Sequence, residues 1–381
     1  MQARATKILQ HTGHTDQKQT NRNKIYQLIY QKISISKPEI ATQLRISLPT
    51  VIQNVKNLQY EGLLKEGNAQ ESTGGRKAVS ITYSKNAKFA IGVDITLDHV
   101  SIVLINLATE IIESIRAKIP YENVPGYYAK IVGLVNNLII VSGANPADIL
   151  GVGFSVPGIL TSDGQMIIYS HVLQASALAC STIGRGLLYP AILCNDANAA
   201  GFAELWKLKN STDAVYLSLS NSVGGAILLH NELYLGENQR GGEFGHTTLV
   251  RDGLPCYCGQ KGCMDAYCNA QVLSQHTGGD LALFFRKLQE GDSSLKAIWD
   301  LYLSHLTTAI NNLMASFDCS IILGGYLGEY LELYINDLRQ AAAGVTTFQG
   351  NEDYITICRY KKEAAAIGVA LLFVKPFIDQ I

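Results

Sequence analysis

The chain has 381 residues, a hydrophobic share of 47% and a formal net charge of −1. Its length exceeds that of one ordinary domain, so two or three domains are expected. No apolar run of about 18 residues is present, which argues against a membrane-spanning helix, and the polar N-terminus lacks the apolar segment of a secretory signal. The 8 cysteines do not form a secreted disulfide pattern, so cytoplasmic residence with reduced thiols is expected.

Charge is distributed unevenly along the chain. Residues 1–86 hold 13 Lys+Arg and 5 Asp+Glu, a balance of +8, which leaves 18 and 27, a balance of −9, for residues 87–381. A basic front on an acidic body favours binding of a polyanion, with a solvated basic surface as the alternative. Residues 1–20 are polar and lack hydrophobic periodicity, so they are predicted to be a flexible tail.

Residues 21–86 are predicted to form a winged helix-turn-helix domain. After a first helix, Ser36 and Glu39 form the capping box of a second one. A tight turn then leads to Ser47, which is placed to cap a third helix over about 48–60. The predicted buried stripe of that helix consists of Leu48, Val51, Ile52, Val55 and Leu58. Two strands around a basic hairpin tip complete the pattern.

The exposed face of the third helix carries short polar side chains with little charge: Thr50, Gln53, Asn54 and Asn57. Such side chains can form hydrogen bonds to base edges in the major groove of double-stranded DNA. Arg76 and Lys77 lie at the predicted hairpin tip and are expected to contact phosphate or the minor groove. Together with the positive charge, these features favour DNA binding. A helical module that docks on protein is the alternative of similar shape.

The acidic body alternates short apolar strands with helices. Strands are predicted over residues 89–94, 101–107, 110–119, 149–154, 191–194, 214–219, 226–229 and 321–323, and helices over 127–142, 197–206 and 361–377. A similar pattern of strands and glycines recurs in the second half, so two α/β lobes that face each other are expected. A cleft between such lobes is the usual place for a ligand.

One segment of the second half carries the metal-binding spacing H-x9-C-x-C-x4-C. Its members are His246, Cys256, Cys258 and Cys263. One imidazole and three thiols supply the four ligands of a closed, structural zinc site, with a disulfide or redox cluster as the alternative. Two carboxylates, Glu243 and Asp265, lie just outside the segment. A metal bound by the segment would fix the local geometry and so the positions of these two residues.

Five motifs in the body resemble the ROK family of repressors and sugar kinases. They are GVGFSVPGIL, CNDANAAGFAE, GGEFGH, CYCGQKGCMDAYC and IILGG, in the order of the family. The resemblance implies a two-lobed α/β body with the actin-like, hexokinase-like fold. Residues 87–205 and 365–381 would form the first lobe, and 206–364, with the zinc loop, the second. With a winged helix-turn-helix domain in front, the chain resembles the sugar-responsive repressors of that family.

The same resemblance implies a sugar site in the cleft. Its residues would be Asn195, Asp196, Glu243, His246 and Asp265. Carboxylates and amides suit sugar hydroxyls because each group can form two hydrogen bonds, and His246 would serve both sugar and zinc. Asp265 stands where the family usually has Glu. Its side chain is shorter, so the contact with the sugar is expected to be lost, to be made through a water molecule or to suit a different sugar. For Asn195 and Asp196 the simple alternative is a helix N-cap.

The turns that hold ATP phosphates in ROK kinases are altered in this chain. Where the family has D-x-G-x-T, Thr96 replaces the glycine and Asp98 replaces the phosphate-binding hydroxyl. A Cβ at the first position blocks close backbone approach, and a carboxylate at the second repels a triphosphate. The second turn, usually G-T-G-x-G, reads SNSVG at residues 220–224, so two of its three glycines are gone. Only the turn at Gly324-Gly325, near the nucleoside site, remains, and folding alone could require it.

These features predict a sugar-responsive transcriptional regulator that acts as a repressor and lacks kinase activity. Its expected partners are a palindromic DNA operator, bound by a homodimer or homotetramer, and a sugar or sugar phosphate inducer. A bifunctional DNA-binding sugar kinase is the first alternative. A constitutive DNA-binding scaffold, which uses the body only to dimerise, is the second.

Overall fold

The computed structural model describes residues 20–69, 79–207, 213–346 and 352–381. Its N-terminal module consists of α1 (residues 20–32), β1 (Ser34–Ser36), α2 (Lys37–Leu44), α3 (Leu48–Tyr60), β2 (Leu64–Ala69) and β3 (Val79–Tyr83). The strands form one antiparallel sheet in the order β1-β3-β2. This module fits the predicted winged helix-turn-helix domain. The sheet has three strands where the sequence predicts two, because β1 is too short to show an alternating pattern.

The helix starts in this module follow from local capping groups. The Ser36 hydroxyl accepts a hydrogen bond from the Glu39 amide at 3.4 Å, and the Glu39 carboxylate accepts one from the Ser36 amide at 2.9 Å. The Ser47 hydroxyl accepts from the Thr50 amide and starts α3 in the same way. Between the helices, Arg45 adopts a left-handed conformation, with φ at 54°, that reverses the chain. Both predicted caps are confirmed.

The buried face of α3 is narrower than the sequence predicts. Val51, Val55 and Leu58 are fully buried in a core shared with α1 and the sheet. Leu48 and Ile52 are 41% and 45% exposed, so their assignment to the stripe is wrong. Leu48 is the first residue of the helix, and Ile52 is rotated by about 100° from Val51 around the helix axis.

The first half of the body is built on a five-stranded sheet. Its elements are β4 (Phe89–Ile95), β5 (His99–Asn106), β6 (Ile111–Lys118), α4 (Pro125–Ser142), β7 (Ile149–Val156), β8 (Ile159–Leu160), β9 (Met166–Ser170), β10 (Ala175–Ala179), α5 (Cys180–Ile183), β11 (Ala191–Asn195) and α6 (Asp196–Lys207). The sheet order is β6-β5-β4-β7-β11, in which β4, β5 and β6 are antiparallel and β7 and β11 run parallel to β4. Strands β8 to β10 form a separate small sheet.

The second half repeats this strand order. Its elements are β12 (Ala214–Leu219), β13 (Val223–Leu229), β14 (Glu232–Leu233), α7 (Asp265–Cys268), α8 (Gln271–Ser274), α9 (Leu281–Gln289), α10 (Ser293–Phe317), β15 (Ser320–Gly324), α11 (Gly328–Leu331), α12 (Ile335–Ala343), β16 (Ile355–Ile357) and α13 (Ala364–Gln380). The order β14-β13-β12-β15-β16 again joins three antiparallel strands to two parallel ones. The repeat confirms the predicted pair of α/β units.

The predicted body elements are present, with boundaries that differ by a few residues. The small sheet β8-β9-β10, the helices α9, α10 and α12 and several shorter elements, such as β14 and β16, were not predicted from the sequence. The strand β9 is exposed at three of its five positions, so it lacks the alternation of a half-buried strand. No helix in the described part of the chain is long and apolar enough to cross a membrane.

Helices α6 and α13 lie between the two large sheets. Helix α13 packs on β4 and β7 of the first sheet, α6 packs on β12 and β13 of the second, and the two helices pack on each other. A Cβ at Gly368 of α13 would lie 1.6 Å from the Ala199 carbonyl oxygen of α6. A Cβ at Gly92 of β4 would lie 1.7 Å from the Ala366 oxygen. Glycine therefore lets α13 approach the backbones of both neighbours.

Candidate functional site

The carboxyl ends of the parallel strands in both sheets open into one cavity of about 370 Å³. Side chains from both halves of the body line it, and they include Asp94, Thr96, Asp98, Arg116, His171, Gln174, Asp196, Ser220, Ser222, Tyr257, Gln271, Tyr326, Lys361 and Lys362. This is the position at which an α/β fold of this kind binds ligands. The cleft predicted between the two units is therefore present.

Asn195 and Asp196 stand where β11 passes into α6. The Asn195 amide oxygen accepts a hydrogen bond from the Asn198 amide at 3.0 Å, and its NH2 group donates to the Gly158 carbonyl at 3.1 Å. Asn195 thus caps α6 and is bound to protein through both ends of its amide group. Asp196 lines the cavity and accepts a hydrogen bond from the Ala197 amide at 2.9 Å.

Two carboxyl groups lie close together in the cleft. Burial, with the nearby charge of Asp196, raises the pKa of Asp94 to about 7. Burial, with the charge of Glu243, raises the pKa of Asp196 to about 6. The Ser155 hydroxyl donates to Asp94 at 2.9 Å. Near neutral pH this pair can hold a proton, so it can both donate hydrogen bonds to a ligand hydroxyl and accept them from it.

The GGEFGH motif forms a tight loop that ends in the 3-10 turn Phe244–His246. Gly242 has a φ of 88°, and a Cβ there would lie 2.4 Å from the Gly225 carbonyl oxygen, so the position requires glycine. The loop places Glu243 Oε2 4.0 Å from His246 Nε2. Because the charge of Glu243 raises the pKa of Asp196, these two carboxyl groups are also within electrostatic reach of each other.

The predicted zinc ligands come together in space. The ligand atoms of His246, Cys256, Cys258 and Cys263 all lie within 4.8 Å of one another. The sulfurs of Cys258 and Cys263 are 3.7 Å apart, and the Cys256 sulfur is 3.8 Å from His246 Nδ1. Tetrahedral ligands at zinc-binding distances are about 3.3–3.8 Å from one another. The cysteines are free thiols, and the cluster fits a zinc ion.

The orientation of His246 assigns different roles to its two ring nitrogens. Nδ1 faces the cysteines, so a bound metal leaves the ring proton on Nε2. Nε2 lies 3.4 Å from the Tyr257 hydroxyl and 4.0 Å from Glu243 Oε2. The imidazole can therefore bind metal through one nitrogen and donate a hydrogen bond through the other, on the side of Tyr257. Tyr257 lines the cavity, whereas Glu243 and His246 are not among the described residues that line it.

Asp265 is 3% exposed and follows the cysteine segment directly in the chain. Its carboxylate accepts hydrogen bonds from the Val223 amide at 2.5 Å and from the Asn269 side chain at 3.4 Å. Val223 belongs to the altered second phosphate turn, and Cys263 lies two residues before Asp265. The carboxylate therefore ties that turn to the segment that carries the cysteines.

The first altered phosphate turn is closed by its own hydrogen bonds. The Thr96 hydroxyl donates to the His99 carbonyl at 3.0 Å and accepts from the His99 amide at 3.1 Å. Tyr326, from the other half of the body, lines the same cavity as Thr96. Burial raises the pKa of its phenol, and the interaction with Thr96 opposes that rise.

The retained glycine pair after β15 has a packing explanation. A Cβ at Gly324 would lie 2.1 Å from the Tyr216 hydroxyl, and one at Gly325 would lie 2.6 Å from the Ser220 hydroxyl. Gly325 also has a φ of 74°, which disfavours other residues. These contacts require glycine whether or not a nucleotide binds.

Among the described residues that line the cavity, Arg116, Lys361 and Lys362 are cationic, and the two lysines are paired with carboxylates. Lys361 lies 3.0 Å from Glu332, and Lys362 lies 3.1 Å from Glu329. Arg116 donates to a serine hydroxyl of β5 at 3.1 Å. Most of the positive charge at the cavity edge is therefore balanced by carboxylates of the same protein.

The polar face of α3 is ordered by hydrogen bonds of its own. The Gln53 side chain donates to the Asn57 side chain at 2.9 Å, and the Asn54 side chain donates to the Thr50 carbonyl at 2.8 Å. Gln53 and Asn57 are exposed, whereas Thr50 and Asn54 are partly buried. The other two predicted DNA contacts, Arg76 and Lys77, lie outside the described residues.

Sequence reasoning missed several residues that line the cleft. These are His171, Gln174, Tyr257, Gln271 and Tyr326. Tyr257 lies inside the cysteine motif and could have been considered from that position. His171, Gln174 and Tyr326 lie on connections and Gln271 opens α8; none of them belongs to a motif, so the sequence gives no signal for them.

The ROK family model matches residues 90–375. The chain belongs to the ROK family. It is 24% identical to the xylose repressor of Bacillus subtilis over 96% of this chain and 97% of that protein. It is 23% identical to the N-acetylglucosamine repressor of Escherichia coli over 84% of this chain and 78% of that protein.

Solved structures of ROK proteins share the fold. A ROK transcriptional regulator, described as a homologue of the Escherichia coli MLC protein, superimposes with a TM-score of 0.75 at 19% identity over 95% of this chain and 97% of its own. A ROK glucokinase from Streptomyces griseus, in complex with glucose and AMPPNP, has a TM-score of 0.62 at 20% identity over 74% of this chain and 98% of its own. The predicted family and two-lobed actin-like, hexokinase-like fold are confirmed.

Proposed function

We propose that this ROK protein is a sugar-responsive DNA-binding transcriptional repressor whose body binds a sugar or sugar phosphate and has no kinase activity. The observation that carries the proposal is the joining of a winged helix module to a ROK body. The similarity to the xylose repressor extends over both parts, 96% of the chain. The glucokinase is itself covered to 98% but matches 74% of this chain, as expected when a kinase-like body carries an added module.

In this proposal Asp196, Glu243 and His246 bind the sugar hydroxyls. Asp196 lines the cavity and accepts from sugar hydroxyls, and the His246 Nε2–H donates to them. Asn195 and Asp265 support the same site from behind. Asn195 caps α6 beside Asp196, and Asp265 holds the zinc loop against the second turn.

We assign a structural zinc ion to His246, Cys256, Cys258 and Cys263. When bound, zinc fixes the loop geometry and the proton position on His246 without entering a reaction, because all four coordination positions belong to the protein. The distances within the cluster support this assignment.

The absence of kinase activity is proposed from the nucleotide side of the cleft. Thr96 places a Cβ and a closed hydrogen-bonded turn where a phosphate needs backbone. Tyr326 lines the cavity together with Thr96, and Asp98 adds a negative charge at the cavity wall. Lys361 and Lys362 are paired with glutamates, which weakens their attraction for a triphosphate.

The DNA-binding surface is assigned to the polar face of α3. Its residues are Thr50, Gln53, Asn54 and Asn57, with Arg76 and Lys77 as the predicted contacts of the hairpin tip. Gln53 and Asn57 are exposed and can exchange their mutual hydrogen bond for base edges. A homodimer or homotetramer would present two such surfaces to a palindromic operator.

Helices α6 and α13 supply a path from the cleft to the DNA-binding module. Both begin at the cavity, since Asp196 opens α6 and Ala364 opens α13. Near the end of α6, the Trp206 ring lies 6.4 Å from the Tyr30 ring of α1. Near the end of α13, the Asp379 carbonyl accepts hydrogen bonds from two α1 side-chain amides. A sugar that moves Asp196 would therefore displace α1 as well.

The test is a titration of operator DNA with and without candidate inducers. The operator is selected first from random DNA with the purified, zinc-loaded full chain. The inducers are D-xylose, D-glucose, N-acetylglucosamine and the 6-phosphates of the last two. At least one is expected to lower operator affinity by about 5- to 150-fold, the range of ordinary allosteric coupling.

Two further outcomes discriminate the alternatives. Equal operator affinity with and without every inducer, and no thermal shift with any of them, would support a constitutive scaffold and contradict the proposal. Sugar-dependent release of ADP from ATP in the presence of Mg²⁺ would support a bifunctional kinase. If Asp196→Asn released ADP as fast as the wild type, the activity would belong to a contaminant.

A further inference from the structure

A row of aromatic rings borders the outer side of the cleft. Tyr257 of the zinc loop contacts His171, which follows β9, with ring centroids 5.7 Å apart and planes inclined by 68°. The same tyrosine ring lies 5.3 Å from the ring of His246, at 74°. Tyr169 extends the row, because its hydroxyl is 2.6 Å from His171 Nδ1. The row connects the first half of the body to the zinc loop.

The metal-binding loop does not itself require Tyr257. A four-ligand zinc site specifies the thiolates of Cys256 and Cys258 but not the side chain between them. Tyr257 lines the cavity and is 50% exposed. A large ring left half exposed in a cleft loses hydrophobic free energy that a ligand covering it would recover.

The chemistry of a cyclic sugar matches this arrangement. A sugar ring has hydroxyls along its edge and C–H groups on its faces. Asp196 and His246 supply partners for the hydroxyls, and Tyr257 supplies an apolar, electron-rich surface for the C–H groups. The phenol oxygen lies 3.4 Å from His246 Nε2, so the tyrosine hydroxyl and the histidine N–H are close enough to form hydrogen bonds to hydroxyls of the same ligand.

We propose that Tyr257 is a specificity-determining residue of the sugar site: its ring packs on the C–H face of a cyclic sugar and, with His171, closes the mouth of the cleft over it. The inference rests on the proposed function, because it assumes a sugar in the cleft. It narrows the ligand class to sugars in their ring form. Open-chain polyols lack a rigid C–H face and are expected to bind poorly.

The test measures sugar binding by titration calorimetry on the zinc-loaded full chain with the five inducers named above. Tyr257→Ala is expected to weaken the best-bound sugar by about 10-fold or more, because it removes the ring surface. Tyr257→Phe keeps that surface and is expected to weaken binding by about 3-fold. Xylitol is the open-chain polyol of xylose, and sorbitol is that of glucose. Each polyol should bind the wild type far more weakly than the corresponding ring sugar. Tyr257→Ala should reduce this preference for the ring form.

The controls distinguish an effect of losing the Tyr257 ring from an effect of losing the metal. Lys261→Ala changes an exposed residue of the same loop that does not line the cavity, and it should bind sugar like the wild type. Zinc-to-protein ratios are measured for every variant. If Tyr257→Ala loses zinc, His171→Ala is the substitute test, because His171 contacts the Tyr257 ring but lies outside the cysteine loop. His171→Ala should weaken sugar binding by about 3- to 10-fold.

The outcomes distinguish this inference from the proposed function. If the wild type binds a sugar and Asp196→Asn abolishes binding, while Tyr257→Ala and His171→Ala bind like the wild type, the sugar site stands and the inference is overturned. Equal affinity of the wild type for the sugar and its polyol would also overturn it. If no sugar binds the wild type, the proposed function fails and the inference falls with it.

Discussion

At the scale of single residues, Asp94 has a raised pKa because of its position in the cleft. Its carboxyl group is 7% exposed, hydrogen-bonded by Ser155, and close to the negative charge of Asp196. Burial and that charge both favour the protonated form, so the pKa rises to about 7. In the unfolded chain an aspartate has a pKa of about 3.9. The folded protein therefore binds a proton at Asp94 more tightly than the unfolded chain does.

The stability of the protein should consequently fall as pH rises towards and through 7. The contribution of Asp94 is fully present below about pH 4 and is lost as the folded carboxyl ionises near pH 7. Between pH 5 and 8, the free energy of unfolding of the wild type should fall by about 1–3 kcal/mol relative to Asp94→Asn, which cannot ionise.

Urea unfolding at a series of pH values measures this difference. Asp252→Asn, at a surface carboxylate that is 90% exposed, is the matched control and should run parallel to the wild type. Parallel curves for the wild type and Asp94→Asn would contradict the raised pKa.

At the scale of elements, the contact between α6 and α13 depends on a single missing side chain. A Cβ at Gly368 would lie 1.6 Å from the Ala199 carbonyl oxygen, which is backbone and cannot rotate away. Gly133, inside α4, has open space where its Cβ would be. Replacing glycine by alanine can therefore be compared at a position without space for a Cβ, Gly368, and at a position with space for one, Gly133.

Alanine should have opposite effects at these two positions. Gly368→Ala should lower the free energy of unfolding by about 1–3 kcal/mol or more, because the helices must separate. Gly133→Ala should raise it by about 0.5–1 kcal/mol, because alanine favours a helix interior over glycine. Chemical denaturation of both variants checks the contrast, and a Gly368→Ala protein as stable as the wild type would disprove the close approach.

Local elements were predictable to the extent that their causes are local. The starts of α2 and α3 follow from Ser36, Glu39 and Ser47, whose partners lie three residues away. The metal ligands follow from spacing, because three of the four lie on one short loop. The β9–β10 hairpin and its contact between His171 and Tyr257 do not, since that contact depends on how two halves of the body pack.

At the scale of the whole molecule, the cleft of the body and the N-terminal winged-helix module are joined through α1. Trp206 of α6 contacts Tyr30, and the Tyr30 hydroxyl donates to the Leu107 carbonyl of the first half at 2.7 Å. By linkage, operator DNA should weaken sugar binding by the same factor by which sugar weakens operator binding. Both factors depend on the contacts at α1 and not on the affinity of either site alone.

Shortening Trp206 should uncouple the two sites. In Trp206→Ala, sugar affinity should stay near the wild-type value because Asp196 is intact, whereas the sugar-dependent loss of operator affinity should shrink to less than about 2-fold. Trp206→Phe should restore part of the coupling. Operator titrations with and without sugar measure it, with Leu188→Ala, at a 94% exposed position, as control. Undiminished coupling in Trp206→Ala would rule out this route.

The position of α13 also has a consequence for the order of folding. This helix comes from the far end of the described chain, yet it covers β4, the first strand of the body. During synthesis the first sheet must wait for almost the entire chain before its inner face is covered. Contacts between such distant segments are slow to form, and the uncovered strands are exposed to aggregation meanwhile. Slow refolding and a need for chaperones during expression are therefore expected of this architecture.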